Sequence, residues 1–308
     1  MNQVHSIPPA INSLEKYIQS SKSKYDACVD VIESGLRIEG VEATLRFHHL
    51  RFDPNGQPKF ADLAKCLADH VIQYCFSARR RGDPKTDDEY SRLNREARGL
   101  LRKWTTGGES GEMLLYLLVE VVLGAPQVVA KFDLKTNPKL ECHGSDGIHM
   151  KWHQSDGVLD IYFGEAKLEK IASNALQNAF ESINSFHAAG LQEHECGLVT
   201  SHFKWLDDNL KTAVLNYVDR QKPGGDCRIN HACLIGYDWD KYTKLSSLKP
   251  DALTAEFKKR YSADTSRLGK LLAKRFEDFE HKHLRFEVFF LPFRTVQEFR
   301  DAFNTAVS

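Results

Sequence analysis

The sequence predicts a mixed α/β fold, and three observations support that prediction. Short runs with the alternation of β-strands are interspersed with segments whose apolar residues recur at helical spacing. The run HACLIGYDW (231–239) is almost wholly apolar, as expected for a strand in the middle of a sheet. From about residue 86 onward the predicted order is helix, strands, helix and strand. The 308 residues suffice for one large domain or two modest ones.

The N-terminal part of the chain mixes short extended and helical segments. VEATLRFHHLRF (41–52) is predicted to be extended, and FADLAKCLADHVIQYCF (60–76) has apolar residues at helical spacing. The polar stretch ARRRGDPKTDD (78–88) contains glycine and proline and is the best candidate for a boundary. We therefore expect an N-terminal region, residues 1–85, that contacts a partner or supports the core, and a main domain over residues 86–308.

A helix is predicted immediately after this boundary. Thr86 and Glu89 have the spacing of a capping box, in which each side chain bonds the backbone amide of the other residue. Four arginines lie on one side of this helix, where they form either a solvated face or a stripe that contacts phosphate groups: Arg92, Arg95, Arg98 and Arg102.

The central segments precede a hairpin that is described below. TTGGESGEMLLYLLVEVVLG (105–124) joins a glycine-rich turn to a strongly apolar helix. Its GGESG turn is either a flexible connection or a phosphate-binding helix N-terminus. PQVVAKFDLK (126–135) is predicted to be a strand that places Asp133 and Lys135 on a solvated face.

The C-terminal part of the chain is predicted to alternate helices with strands. NALQNAFESINSFHAA (174–189) is an amphipathic helix and ECGLVTSH (195–202) a strand. A long charged helix over about 252–281 precedes a last strand, LRFEVFFLPF (284–293). The basic residues of the long helix form a solvated face or a surface for DNA or a partner: FKKRY (257–261), Lys270, Lys274 and Arg275.

Composition argues against several classes of protein. Lysine plus arginine and aspartate plus glutamate both number 42, so any nucleic-acid binding must use local basic patches rather than overall charge. Seven cysteines without a CxxC motif argue against a disulfide framework and predict reduced thiols in the cytoplasm. The start of the chain lacks the pattern of a secretory signal. The longest apolar run, MLLYLLVEVVLGA (113–125), contains Glu120 and is too short for a membrane span, so we expect a buried helix and no membrane.

The stretch HGSDGIHMKWHQSDGVLDIYFGEAKLEK (143–170) predicts a β-hairpin with charged residues at its open end. Its QSDG turn contains Asp-Gly, a strong hairpin signal. Alternation along the second strand puts Glu165 and Lys167 on the face that otherwise carries large apolar side chains. Folding of the hairpin should bring Asp146, at the start of the first strand, beside both of them.

Two carboxylates and an ammonium at the rim of an apolar face are unfavourable unless something compensates them. Their hard oxygen atoms suit Mg²⁺ or Mn²⁺. Such an ion could activate water and stabilise charge on a phosphate, and a neighbouring lysine could assist, which is the chemistry of phosphodiester hydrolysis. The alternative is a structural salt bridge between Glu165 and Lys167 at a strand end.

These residues resemble the core of a known nuclease superfamily. Asp146, followed 19 residues later by Glu165-Ala166-Lys167, is similar to the D…(D/E)xK motif of PD-(D/E)xK nucleases, with Ser145 in place of the name-giving proline. Glu112, in GEMLLYLL, matches an acidic residue that many such nucleases carry on the preceding helix. More narrowly, HGSDGIH and GEAKLEK resemble the HamA family, the nuclease subunits of the Hachiman anti-phage system. The resemblance is good over about 105–190.

The resemblance implies a restriction-endonuclease-like mixed sheet flanked by helices. It implies Asp146 and Glu165 as ligands of Mg²⁺ or Mn²⁺, Glu112 as a further ligand or nearby acid, and Lys167 as the group that polarises water or phosphate. It also implies a DNA substrate and a HamB-like helicase in trans, and the chain has no GxxxxGK[ST] motif of its own. The alternatives are a catalytically silent nuclease-fold protein that binds DNA or a partner, and an RNA target.

Three smaller hypotheses remain from the sequence. Cys142 and the histidines His143, His149 and His153 could suggest a zinc site, but alternation puts His149 and His153 on the face opposite Asp146. His143 is either at the edge of the site or a loop histidine. Gln177 is either a polar residue of the site or a surface glutamine.

Overall fold

The computed structural model describes residues 11–102, 108–131, 144–205, 207–218, 227–245 and 248–308. Within these residues the predicted α/β fold is confirmed, as a mixed sheet flanked by helices. The sheet has six strands in the order β1-β2-β6-β5-β4-β3. Their bounds are β1 Val29–Arg37, β2 Ala43–Leu50, β3 Ile148–His153, β4 Val158–Glu169, β5 Cys227–Asp238 and β6 Arg285–Phe293.

Strand directions put four carboxyl ends at one edge of the sheet. β2, β6, β5 and β4 run parallel, whereas β1 and β3 pair antiparallel with β2 and β4 at the two sides. β5 lies between two parallel neighbours and is almost entirely buried, which explains its apolar sequence. Open α/β sheets bind ligands beyond the carboxyl ends of their parallel strands, and the Glu165–Lys167 pair lies near that end of β4.

Eleven α-helices are present in the described residues. They are α1 Lys22–Cys28, α2 Phe60–Ala68, α3 Val71–Cys75, α4 Ala78–Arg81, α5 Asp87–Arg102, α6 Glu109–Leu118, α7 Ala172–Ala188, α8 Leu191–Ser201, α9 Asp208–Val218, α10 Pro250–Phe276 and α11 Val296–Val307. Short 3₁₀ helices occupy Ile11–Tyr17 and Asp240–Tyr242, and a π-helical turn, Val119–Leu123, extends α6. None of the helices in these residues is long and apolar enough to cross a membrane.

The two faces of the sheet are covered by different helices. On one face α2, α3, α5, α6 and α11 bury one apolar core with the even-numbered residues of β4, such as Tyr162 and Leu168. On the other face α7 and α10 cover β5, β6 and β2, while α8 and α9 cover β3 and the first half of β4. The odd-numbered residues of β4, including Phe163, face this second layer. Because side chains alternate along a strand, Glu165 and Lys167 share the face of Phe163 and point toward α7.

Several predicted elements are confirmed with their local causes. Glu89 N donates to Thr86 Oγ1 at 3.2 Å and Thr86 N donates to Glu89 Oε2 at 3.4 Å, so the capping box forms at the start of α5. The hairpin of β3 and β4 turns at Gly157, whose φ is +67°. The apolar run after residue 113 lies in α6, and the amphipathic helix is α7. The segments 41–52 and 284–293 contain β2 and β6.

Three predicted elements need correction. The segment 195–202 is not a strand but part of α8, because its buried residues Glu195 and Val199 are four positions apart, which is helical spacing. The helix predicted over 60–76 is interrupted between α2 and α3. There the His70 ring bonds Cys66 O at 2.7 Å and the His70 amide bonds Leu67 O instead, which ends the regular helical pattern.

The third correction concerns 126–135, predicted as a strand. Its described part makes only isolated bridges, from Gln127 to His149 and from Val129 to Phe203, beside the edge strand β3. Pro126 has no amide to donate, which limits regular pairing there. Asp133 and Lys135 lie outside the described residues.

The division of the chain at residue 85 remains a prediction. In the described residues both sides of it contribute to one sheet, since β2 pairs in parallel with β6 from Ala43 opposite Phe286 to Phe47 opposite Phe290. β1 and β2 therefore support the sheet that positions the candidate site.

Candidate active site

Asp146 lies beside Glu165, where hydrogen bonds between the two strands continue past the start of β3. Asp146 N donates to Gly164 O at 2.8 Å, and Gly164 N donates to Gly147 O at 2.9 Å. Gly164 thus bonds both Asp146 and Gly147, so the register that pairs Ile148 with Phe163 slips by one residue, as in a β-bulge, at Asp146. Asp146 and Glu165 line the same cleft, and the charge of Glu165 acts on Asp146. The predicted proximity of these two residues is confirmed, whereas their catalytic roles remain predictions.

The side chains of this pair are held by specific contacts. Ala166 N donates to Asp146 Oδ2 at 2.7 Å, which leaves Oδ1 as the oxygen directed away from that amide. Lys167 Nζ lies 2.7 Å from Glu165 Oε1, and the nearby Ser182 hydroxyl of α7 acts to lower the pKa of Glu165 against burial. Both Glu165 and Lys167 are partly exposed, so a ligand can reach them.

The residues face a cleft of about 590 Å³ between β4 and α7. The cleft is lined on one side by Asp146, Glu165 and Lys167 and on the other by polar residues of α7 that include Asn178 and Ser182. Gln177, the residue of α7 considered from the sequence, is exposed, bonds Glu181 and does not line the cleft. Asn178 occupies the corresponding place instead.

Gly164 allows the backbone and a helix to approach the site closely. A Cβ atom at Gly164 would lie 3.1 Å from Leu115 Cδ2 and 3.3 Å from Gly147 N. Both distances are tighter than ordinary van der Waals contact. The glycine that precedes Glu165 in the GEAK motif is therefore required by packing between α6 and the ladder.

Glu112, on α6, is linked to Asp146 by a lysine that lies between their carboxylates. The sequence did not indicate this lysine as part of the site. Lys131 Nζ lies 2.8 Å from Glu112 Oε2 and 3.6 Å from Asp146 Oδ1. Glu112 Oε2 also accepts a hydrogen bond from Tyr74 Oη at 3.1 Å. Lys131 belongs to the irregular segment beside β3, for which the strand prediction indicated no role at this site.

Glu195 of α8 is a second residue that sequence reasoning missed. Its carboxylate accepts hydrogen bonds from both Ser145 N and Ser145 Oγ, each at 2.5 Å, and it is only 5% exposed. A side chain on Gly144 would collide with the Glu195 carboxylate. Glu195 thus holds the turn that presents Asp146. The sequence did not indicate this role, because residues 195–202 were predicted to be a strand rather than part of a helix.

Burial and like charges dominate the electrostatics of the cluster. Burial raises the pKa of Asp146 well above its usual value, and the carboxylates of Glu112 and Glu165 add to the effect against Lys131. Burial also raises the pKa values of Glu165 and Glu195, despite their hydrogen bonds. Burial alone would lower the pKa of Lys131, but its neighbouring carboxylates outweigh burial and raise it.

The oxygen donors present suit a hard divalent ion. Among the described residues, the cluster contains the four carboxyl groups just named and two ammonium groups, so it is acidic when all are ionised. No group of three or more His, Cys, Asp or Glu side chains in this part of the chain has the arrangement of a metal site by itself. Mg²⁺, however, commonly uses one or two carboxylates together with water and substrate phosphate. Asp146 and Glu165 satisfy that requirement.

The other sequence candidates lie away from this cluster or outside the described residues. His149 is buried against Tyr116 and contacts Ala125 O, and His153 lies 3.3 Å from Asp156 at the hairpin turn. Both are on the face opposite Asp146, as predicted. Cys142, His143 and the first glycine of GGESG are among the residues that the structure does not describe.

Three of the basic residues considered on helices have local partners. Arg98 Nη1 donates to Ala306 O at 2.9 Å, and Lys258 Nζ lies 2.7 Å from Asp30. Arg275 contacts Ser173 O at 3.4 Å. Arg92, Arg95, Lys270 and Lys274 are exposed. Phosphate or partner contact at these positions remains a prediction.

One protein family matches nearly the whole chain. A family model described as HamA matches residues 10–307, on both sides of the predicted division at residue 85. The match includes all six strands and the Glu112, Asp146, Glu165 and Lys167 cluster. No curated protein matches the sequence.

Proposed function

The chain belongs to the HamA family of the Hachiman anti-phage defence system, and on this premise we propose that it is a metal-dependent nuclease that cleaves DNA as an effector of that system. The observation that carries the proposal is the position of Asp146 beside Glu165, with Lys167 2.7 Å from Glu165, at one wall of a cleft. Two carboxylates and a lysine in this relation are suited to a divalent ion and a phosphate.

Each side chain has a role that follows from its contacts. Asp146 Oδ1 and the Glu165 carboxylate would hold Mg²⁺ or Mn²⁺, because both are hard oxygen donors on one face. When bound, the ion supplies Lewis-acid polarisation of a phosphate oxygen and lowers the pKa of a water molecule. The Lys167 ammonium orients that water or offsets the negative charge that develops on the phosphate. The carboxylate of Glu165 keeps Lys167 protonated, since it raises the pKa of Lys167 against the opposing effect of burial.

Neighbouring residues hold these groups in place. Ser182 lies beside Glu165 on α7 and favours its ionised form, and Glu195 fixes the Ser145 turn from α8. Glu112 adds a fourth carboxylate from α6. A site built on a strand pair and supported by three helices is held more rigidly than one built on loops.

A helicase in trans would supply the motor and deliver the DNA. The chain has no GxxxxGK[ST] motif, and its numbers of basic and acidic residues are equal. Overall charge therefore contributes little attraction for DNA. Control of cleavage by a HamB-like helicase subunit fits a nuclease that has weak attraction for DNA of its own. We also propose a cytoplasmic location, on the basis of the cysteine content alone.

A plasmid-nicking assay tests the proposal. Supercoiled plasmid is incubated with the chain in Mg²⁺, in Mn²⁺ and in EDTA, each with and without the helicase subunit. Nicking that needs a divalent ion, with or without the helicase, supports the proposal. If the helicase-loaded complex binds DNA but leaves the plasmid intact under every condition, the chain is a catalytically silent nuclease-fold protein. RNA of the same sequence serves as the competing substrate.

A further inference from the structure

The Lys131 ammonium lies between two carboxylates of the candidate site. Its Nζ is 2.8 Å from Glu112 Oε2 and 3.6 Å from Asp146 Oδ1. The Lys131 side chain is 12% exposed, and those of Glu112 and Asp146 are 17% and 18% exposed. An ammonium this close to carboxylates, with little solvent between them, has a strong electrostatic effect on any other cation that approaches.

The hydrogen bonds of the two carboxylates show which oxygens are involved. Asp146 Oδ2 accepts the Ala166 amide at 2.7 Å, so the oxygen that faces Lys131 is the one left for an ion. Glu112 Oε2 accepts hydrogen bonds from Lys131 and, at 3.1 Å, from Tyr74 Oη. Two donors on one oxygen, in a carboxylate that α6 anchors, make Glu112 a better holder of Lys131 than a ligand of a metal ion.

We propose that Lys131 is a built-in counter-cation that competes with the divalent ion for Asp146, and that Glu112 is a positioning residue that holds Lys131. This inference rests on the proposed function, because the ion concerned is the one that Asp146 and Glu165 would bind. Lys131 lies nearer to Glu112 than to Asp146. It can therefore keep its contact with Glu112 while the ion replaces it beside Asp146.

Competition of this kind makes loading of the ion depend on the substrate. In the free protein, the fixed positive charge of Lys131 opposes a second cation beside Asp146. A DNA phosphate in the cleft adds negative charge at the same place and offsets that repulsion. The ion and the DNA then bind together more favourably than either binds alone, which is a coupling free energy between two ligands. The isolated nuclease would thus remain largely without its ion until DNA is delivered.

Titration of Mn²⁺ into the full chain without DNA tests the inference, with the free Mn²⁺ signal in electron paramagnetic resonance as the readout. Lys131→Met should bind Mn²⁺ at least about tenfold more tightly than the wild type, since one nearby positive charge is removed. Lys170→Met is the matched control, because Lys170 is an exposed lysine at the end of the same strand pair. It should bind Mn²⁺ as the wild type does.

A second variant keeps the test valid if Lys131→Met fails to fold with two buried carboxylates uncompensated. Glu112→Gln combined with Lys131→Met removes both charges of the pair and leaves Asp146 and Glu165 intact. If Glu112 only holds Lys131, this double variant should bind Mn²⁺ at least as tightly as the wild type. If Glu112 is a ligand, it should bind several-fold more weakly, and the inference is overturned.

The outcomes also separate this inference from the proposed function. Wild-type binding of Mn²⁺ that Lys131→Met leaves unchanged or weakens overturns the role of Lys131 while the metal-dependent nuclease stands. Absence of Mn²⁺ binding in the wild type and in both variants overturns both, because removal of the ammonium would then expose no ion site.

Discussion

Asp146 and Glu165 line the same cleft, and the amide of Ala166, the residue after Glu165, donates to one oxygen of the Asp146 carboxylate at 2.7 Å. The same short segment therefore supplies a carboxylate, the amide that orients its partner, and Lys167. Each feature of the site that follows from this arrangement can be tested separately.

Packing at Gly164 is the first feature that can be tested. Gly164→Ala should lower the free energy of unfolding by about 1–3 kcal/mol, because its Cβ would crowd Leu115 and the Gly147 backbone. Gly99→Ala in α5 is the control, since no atom lies within 4 Å of the added Cβ and alanine favours a helix over glycine. Urea denaturation measures both. Equal free energies of unfolding for the Gly164 variant and the wild type would show that α6 can move away from β3 and β4 without a loss of stability.

The support that Glu195 gives to the Asp146 turn predicts a loss of both stability and activity. Glu195→Ala removes the acceptor of the Ser145 amide and leaves the Ser145 hydroxyl with only Gly147 O, at 3.2 Å, which should destabilise the fold by about 1–3 kcal/mol. Plasmid nicking should fall by about tenfold or more if Asp146 is displaced by even 1 Å. Glu193→Gln, an exposed acid on the same helix, is the control. A Glu195 variant with wild-type nicking would exclude a positioning role.

The raised pKa of Asp146 predicts a pH-dependent effect on stability. Because the folded state binds this proton more tightly than the unfolded state, ionisation of Asp146 destabilises the fold as the pH rises through the folded-state pKa. In EDTA, Asp146→Asn should therefore raise the Tm at pH 8. The gain should diminish as the pH falls through the raised pKa and vanish below the unfolded-state pKa of about 4.

Asp156 is a control whose pKa is shifted in the opposite direction, so its substitution should change the Tm in the opposite direction. Hydrogen bonds from Arg228 and Ser155 lower the pKa of this exposed carboxylate, so its ionised form stabilises the fold above the unfolded-state pKa. Asp156→Asn should lower the Tm slightly at pH 8 and have no effect in acid. A Tm for Asp146→Asn below that of the wild type at every pH would contradict the raised pKa of Asp146.

Binding of an ion should stabilise the folded protein. Saturating Mn²⁺ should raise the Tm of the wild type, since the site exists only in the folded state, and EDTA should reverse the shift. Glu165→Gln should show little or no shift, whereas Glu169→Gln should behave as the wild type. Glu169 lies on the same face of β4 but hydrogen-bonds Asn178 rather than the ion-binding cluster. If Mn²⁺ raised the Tm of the two variants equally, the ion would not bind at Glu165.

The local pattern of the sequence predicted the centre of the site because a hairpin register is strongly constrained. The Asp-Gly turn and the apolar alternation of β4 allow one pairing over the hairpin, which holds from Ile148 to His153. The register slips by one residue at Asp146, yet Asp146 and Glu165 line the same cleft, as expected. The largely apolar run of β5 and the capping box of α5 were equally local signals.

The supporting residues could not be predicted in the same way, because tertiary packing brings them to the site. Lys131 arrives on an irregular segment held by isolated bridges, and Glu195 on a helix whose short sequence resembled a strand. On α7 the sequence allows Gln177 to be either a site residue or a surface glutamine; it is a surface glutamine, and Asn178, one residue or about 100° further around the helix, lines the cleft. Periodicity identified the helix but not its rotation against the sheet.

The most direct test of the central claim is plasmid nicking by Glu165→Gln and Lys167→Met in the presence of Mg²⁺ and the helicase subunit. Both variants should lose nicking while they keep the circular dichroism spectrum and the helicase binding of the wild type. Lys170→Met, an exposed lysine three residues beyond Lys167, should retain full activity. Nicking by either site variant at the wild-type rate would contradict the assignment of this cluster as the catalytic centre.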